Sequence, residues 1–244
     1  MVLKQDLDQH FMIDKGLVKR IVGYADLKKE DIVLEIGVGK GILTKELVKK
    51  CKVIAVEKDK SLLTLNDIPD AEIHYADALI FLKTKPHFNK IVANIPYSIS
   101  EPLLNLLKNF NFDLAILAVG KNLADRLLGN KKTKLSILMP LFFDIELLED
   151  VPKDAFSPKP RTSSAVIKII PRKQLTKMEK ILMDFLQQDD KLAKNALRQT
   201  LMRKYNLTKR ESREAILKFD FLDKNLKLLS YKEIKKIKEY LISF

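Results

Sequence analysis

The chain has 244 residues, room for one large domain or a large and a small one, and 46% of them are apolar, ample for a core. It carries 45 basic and 32 acidic residues, a net charge of +13 that favours polyanionic partners. No apolar stretch approaches the roughly 18 residues of a membrane span, and a single cysteine, Cys51, excludes an internal disulfide and a cysteine metal cluster.

Residues 1–30 form a leading segment with a helix expected at about 14–25. The apolar run Ile32 to Ile36 then predicts a strand that ends in the turn Gly37-Val38-Gly39-Lys40-Gly41. Three of the seven glycines lie in this turn, where backbone can approach a ligand closely. Ile42, Leu43, Leu47 and Val48 recur at helical spacing behind it, so a helix N-terminus with its partial positive charge backs the glycines. The spacing is neither a phosphate-binding Walker loop nor the dinucleotide fingerprint, whose third glycine comes one residue later. A tight strand-to-helix turn would use the same glycines.

The next strand, 52–56, ends at Glu57, about 20 residues past the glycines, where nucleotide-binding α/β folds place a ribose-binding carboxylate. A third strand, 71–75, ends near Asp77, which taken alone reads as a helix cap. The fourth, 90–94, runs into Asn94-Ile95-Pro96-Tyr97. That tetrapeptide offers an amide, a backbone carbonyl and an aromatic face, which together suit the exocyclic amine of a nucleobase. An ordinary Asn-Pro turn is the plainer reading of these four residues by themselves. Four successive strand ends bearing such groups point to one ligand crevice at the carboxyl edge of a sheet.

Further strands are expected at 113–118, 137–145 and 164–170, with Pro171 ending the last. After it only helical patterns follow: an amphipathic stretch from Met178 to Gln187, and another over 190–205 with Leu192, Ala196, Leu197, Thr200 and Leu201 on one face. Thr208 with Glu211, and Ser230 with Glu233, have capping-box spacing. The expected fold is α/β: a Rossmann-like, mostly parallel seven-stranded sheet over residues 1–171, then a small helical domain over 172–244. Residues 172–244 hold 19 basic and 10 acidic residues, against 26 and 22 in the rest, so the helical domain is expected to bind phosphate backbone. His10, His74 and His87 fall on different elements, and no metal site is expected.

In these motifs the chain resembles the class I S-adenosylmethionine-dependent methyltransferases. More narrowly it resembles the ribosomal RNA adenine N6,N6-dimethyltransferases of the KsgA type, in a short archaeal form. The resemblance runs over nearly the whole chain: Gln9-His10-Phe11-Met12, the segment Glu35 to Gly41, Glu57, Asp77-Ala78-Leu79, Asn94 to Ser100, and Phe156-Ser157-Pro158-Lys159-Pro160 followed by Ser163 to Val166. It implies S-adenosylmethionine as cofactor. His10 and Met12 would border its methionine end, Gly37 would contact its carboxylate and amino region through backbone, Gln9 and Gly39 would also belong to the cofactor site, and Glu57 would accept from the ribose hydroxyls. Asp77 and Ala78 would meet the adenine, and Asn94 would stand between cofactor and target base. For such a target the Asn94 side-chain oxygen and the Ile95 or Pro96 carbonyl would accept the two N–H bonds of the adenine amine, Tyr97 would stack on one face of the base, and Phe156 is the candidate for its other face.

Three places depart from the family pattern. Asp8 replaces a usual glycine, Gly120-Lys121-Asn122 stands where Gln-Lys-Glu is usual, and Lys131 to Lys134 lack the glycine and tyrosine that normally precede Leu135-Ser136. The implied activity is dimethylation of adenosines in a hairpin loop of small-subunit (16S) rRNA within a pre-30S particle, by a cytoplasmic monomer without membrane contact. Two alternatives stay open: a 23S rRNA adenine methyltransferase of the macrolide-resistance type, and an rRNA-binding assembly factor impaired in catalysis.

Overall fold

A computed structural model describes residues 10–62, 68–188 and 190–243. The chain forms two compact units. One is built from the chain up to Leu128 with Phe143–Pro171, the other from Gly129–Phe142 with the chain from Arg172 onward.

The first unit opens with β1 (Phe11–Met12) and α1 (Lys15–Tyr24). Asp14 caps α1 by accepting the Leu17 N–H at 3.0 Å, and Leu17, Val18 and Ile21 form its buried face. Three strands follow, two of them with helices: β2 (Ile32–Ile36) with α2 (Thr44–Leu47), then β3 (Lys52–Glu57), then β4 (Ala71–Tyr75) with α3 (Ala78–Phe81). Next come β5 (Lys90–Asn94), α4 (Tyr97–Leu107), β6 (Leu114–Gly120) and α5 (Lys121–Leu127). The chain then leaves for the second unit through α6 (Lys134–Leu138) and returns as β7 (Phe143–Val151), β8 (Phe156–Ser157) and β9 (Ser164–Pro171).

The seven-stranded sheet has the order β4-β3-β2-β5-β6-β9-β7, parallel from β4 to β6, with β9 antiparallel to both neighbours. The chain moves outward from β2 through β3 to β4, then restarts on the other side of β2 with β5. The β2–β5 boundary is therefore a topological switch point, where α/β sheets open a ligand crevice. Only Val33 with Lys90 and Leu34 with Ile91 are paired across it, so the two strands part before Ile36 and Asn94. A separate two-stranded ladder joins β1 to β8.

The second unit adds α7 (Lys177–Leu186), α8 (Ala193–Tyr205), α9 (Lys209–Ile216) and α10 (Tyr231–Ile242). Phe185, Leu197, Leu201, Leu226, Ile234, Ile237 and Leu241 make its core. Thr176, Thr208 and Ser230 each close a capping box with the glutamate three residues on.

Three expectations are corrected. The run 137–145 is not one strand: its first part is helical or turn, and β7 starts at Phe143. Ile137, Leu138, Leu141 and Phe142 pack into the helical core, a demand that a local apolar run does not reveal. Residues 129–142 thereby join the second unit, whereas the expected domain edge lay only at 171/172. Leu192 also leaves its expected face; it precedes α8 in extended conformation and is 38% exposed, while Leu197 and Leu201 are fully buried.

Candidate active site

The glycine turn after β2 needs its glycines. Gly37, Gly39 and Gly41 have φ of +79°, +57° and +73°, the left-handed region that other residues enter only with strain. A Cβ on Gly37 would lie 3.3 Å from the Asn94 carbonyl oxygen, and one on Gly39 only 2.9 Å from the Phe11 ring. The turn is thus pressed between β5 and β1.

Glu57, at the tip of β3, is 7% exposed and rigidly held. One carboxylate oxygen accepts the Gly39 N–H at 2.9 Å and the other accepts the Asp59 N–H at 2.8 Å. A carboxylate has about four acceptor sites, so each oxygen keeps one for a further donor. Asp77 caps α3: its Oδ1 accepts from Leu79 N at 2.9 Å, and its Oδ2 accepts from Lys58 Nζ at 3.1 Å. The hydrogen bond from Lys58, helped by the two helix N–H groups, holds the Asp77 carboxyl below its ordinary pKa. Asp77 is thus the helix cap its sequence position suggests, and it also lines the cavity described below. Lys58 is a residue that sequence reasoning missed, although it adjoins Glu57.

Asn94 ends β5. Its amide nitrogen donates to the His10 carbonyl at 3.1 Å, which leaves the amide oxygen as the acceptor this side chain offers. The Ile95 N–H donates to Ala118 O at 3.0 Å and fixes the backbone beyond it. The Pro96 carbonyl already accepts from Ile99 N at 3.1 Å and from Ser100 Oγ at 3.0 Å, so of the two carbonyls considered, that of Ile95 is the one suited to a ligand amine. The Tyr97 hydroxyl pairs with Ser164 Oγ at 2.5 Å, its ring lies against the backbone of Gly120, and the His10 ring stands 5.7 Å away. Arg126 pairs with Glu101 of α4 at 2.8 Å, tying down the helix that Tyr97 begins.

These groups line one cavity of about 480 Å³, which includes His10, Gly37, Gly39, Glu57, Asp77, Ala78, Asn94, Pro96 and Tyr97. Gln9 lies outside the described residues. Met12 and Phe156 do not line the cavity. They face each other in the β1–β8 ladder and are 5% and 1% exposed within the core. A ring so buried has no face to offer a base, and Phe11, not Met12, is the residue of β1 that lines the cavity. The late segment acts instead through Ser164 on Tyr97 and through the Pro158 carbonyl, which accepts from His10 Nδ1 at 2.9 Å.

Beneath the turn, Glu35 is 1% exposed, and neither carboxylate oxygen finds a hydrogen-bond partner among the described residues. Burial pushes its pKa up to about 8; the neighbouring Glu57 charge adds to this and the nearby Thr44 opposes it. No cluster of histidine, cysteine and acidic side chains among the described residues is arranged to hold a metal ion.

A model of the family "Ribosomal RNA adenine dimethylase" matches residues 2–243. A "Probable ribosomal RNA small subunit methyltransferase A" of Methanopyrus kandleri is 36% identical over 211 residues, 80% of this chain and 76% of its own. The protein of the same name in Thermococcus sibiricus is 34% identical over 252 residues, 97% of this chain and 91% of its own. Among solved structures, a dimethyladenosine transferase from Plasmodium falciparum is 25% identical, with a TM-score of 0.67 over 93% of this chain and 96% of that one. The 23S rRNA methyltransferase ErmE, at 22% identity and a TM-score of 0.64 over 95% of this chain and 99% of that one, shares the fold.

Proposed function

The chain belongs to the ribosomal RNA adenine dimethylase family, and we infer that it dimethylates N6 of adenosines in a hairpin loop of small-subunit (16S) rRNA. It is an S-adenosylmethionine-dependent enzyme. Its substrate is rRNA, which we place in a pre-30S particle, met by a monomer in the cytoplasm. No helix among the described residues is long and apolar enough to cross a membrane.

One observation carries the reading: the glycine turn, Glu57, Asp77 and Asn94 to Tyr97 meet in a single cavity at the switch point of the sheet. Its donors and acceptors fit the cofactor. Gly37 and Gly39 present backbone where a Cβ would intrude, Glu57 keeps acceptor capacity for ribose hydroxyls, and Asp77 can accept from an adenine amine. When bound, S-adenosylmethionine supplies a methyl group on a positively charged sulfur. The chain's residues make N6 of the target adenosine a better nucleophile by holding its hydrogens. The Asn94 amide oxygen and the Ile95 carbonyl each accept one, which draws the nitrogen lone pair out of ring conjugation and aims it. The Tyr97 ring, pinned through its hydroxyl, stacks on the base. No strong base is needed before transfer, because the proton leaves to water afterwards; orientation and fixed dipoles supply the rate. After one methyl is added, a single N–H remains for Asn94 or Ile95 to hold.

Incubation with purified 30S and 50S precursors tests the substrate. N6,N6-dimethyladenosine should appear in 16S rRNA. Methylation confined to 23S rRNA would reject the assignment.

A further inference from the structure

We propose that the second unit carries an RNA contact of its own, an aromatic platform formed by Phe219, Phe221 and Tyr240 on which an unpaired nucleotide of the substrate stacks. The proposal rests on rRNA being the substrate, and its site lies wholly outside the methyl-transfer cavity.

The segment after α9 brings Phe219 and Phe221 together, ring centroids 5.4 Å apart and edge-on at 62°. Phe219 meets Tyr240 of α10 at 5.3 Å and 72°. The Tyr240 hydroxyl donates to Ala215 O at 2.9 Å, which locks this ring to α9. All three rings are half-buried: one side packs on the helical core and the other borders a surface cavity of about 390 Å³.

Two lysines stand over the ring faces. Lys218 Nζ is 3.3 Å from the Tyr240 ring centroid and 5.5 Å from that of Phe219, and Lys236 Nζ is 6.0 Å from that of Phe221. A cation held over an exposed ring marks a π-face that a flat ligand can also use. When a base takes that face, the displaced ammonium stays on its four-carbon stem within reach of the adjoining phosphate. Aromatic rings interleaved with lysines are what single-stranded nucleic acid needs: the rings stack bases of any sequence and the lysines neutralise the backbone. Paired RNA offers no such π-face, because its bases stack on each other. Glu239 and Asp220 also border the cavity; Glu239 is paired with Lys235 at 3.5 Å, and the unit as a whole has 22 basic against 10 acidic residues.

The test uses the full chain with two probes, a single-stranded oligoribonucleotide of about ten nucleotides and a blunt RNA duplex. Phe219→Leu and Phe221→Leu keep apolar volume, and thermal melts monitor their fold. Each should weaken single-strand binding by about 5- to 100-fold while leaving duplex affinity and the salt dependence unchanged. Lys218→Gln and Lys236→Gln should each lower the slope of log K against log salt by about 0.7. A 4-thiouridine oligonucleotide should crosslink to the segment 218–221. Unchanged single-strand binding by both leucine variants, crosslinks that map only elsewhere, or a loss seen with whole 30S particles but not with free RNA would each overturn the platform; the last would mark a protein partner. Failure of this site and failure of the catalytic reading separate cleanly. Dimethylation of 16S rRNA by an enzyme whose crosslinks avoid these rings sinks the platform alone. Crosslinks at 218–221 without methyl transfer sink the catalytic reading alone.

Discussion

Glu57 cannot become glutamine without losing one of the bonds it now makes. Its two oxygens accept two backbone N–H groups, so an amide NH2 on either side would face a donor. Glu57→Gln should therefore weaken S-adenosylmethionine binding by about tenfold or more in calorimetry, by loosening the glycine turn as well as losing the charge. Tyr97→Phe and Ser164→Ala break the same hydrogen bond. Each should lower kcat/KM about fivefold, and the double variant should be no worse than either alone. Glu35 gives a pH signature. With a folded pKa of about 8 against an ordinary 4.5, the folded chain retains a proton that the unfolded chain releases. Its contribution is full below about pH 4.5 and is lost as pH rises towards 8, by roughly 1.4 kcal/mol per pH unit in between. Glu35→Gln should thus gain stability over the parent chain between pH 5 and 8, measured by urea unfolding; a constant difference across that range would contradict the burial argument. Gly37, Glu57, Asp77 and Asn94 could be placed at one crevice from the sequence because each lies at or just past a strand's end, and strand ends converge in this fold class. Lys58, Met12 and Phe156 were not. Lys58 meets Asp77 only when β3 and β4 are paired, and Met12 and Phe156 are buried by a ladder between residues more than 140 apart in the chain.

Among the elements, β2 and β5 were plain from their apolar runs, and the polar network at their entry was not. Lys90, 9% exposed, pairs with Asp31, 5% exposed, at 2.9 Å and donates to the Ala25 and Asp26 carbonyls. Burial alone would raise the Asp31 pKa, but the Lys28 N–H, the Asn89 amide and Lys90 together hold it below the ordinary value. Lys90→Met would strand a buried carboxylate and should cost about 3–5 kcal/mol in chemical denaturation. Because the Asp31 pKa is lowered, the network's contribution is present at neutral pH and fades in acid, so the deficit should shrink as pH falls below 4. The run at 137–145 shows why strand and helix were confused. Leu138, Leu141 and Phe142 are apolar for a helical core distant in sequence, and only the alternation beyond Phe143 belongs to a strand.

For the whole molecule, the structure sharpens the charge reading. With residues 129–142 counted in the helical unit, that unit holds 22 basic and 10 acidic residues, and the sheet unit 23 and 22. Nearly all of the net +13 thus belongs to the unit without the cofactor cavity, +12 against +1. Polyanion binding should follow the helical unit, including its loop lysines Lys131 and Lys132. Replacing both with glutamine should lower the slope of log K against log salt for rRNA fragments by about 1.5 and leave S-adenosylmethionine affinity unchanged. Sequence alone drew the boundary at 172 because helical periodicity begins there; the insertion between α5 and β7 has no compositional mark except its lysines. In the proposed mechanism Asn94 directs an extruded adenine toward a methyl donor held beside Gly37, Glu57 and Asp77. The most direct measurement is methyl transfer to unmodified 30S subunits by Asn94→Ala, with donor affinity measured on the same preparation. Dimethyladenosine should form with the parent chain and not with the variant, at nearly equal donor affinities. Turnover by Asn94→Ala at the parent rate would contradict the mechanism.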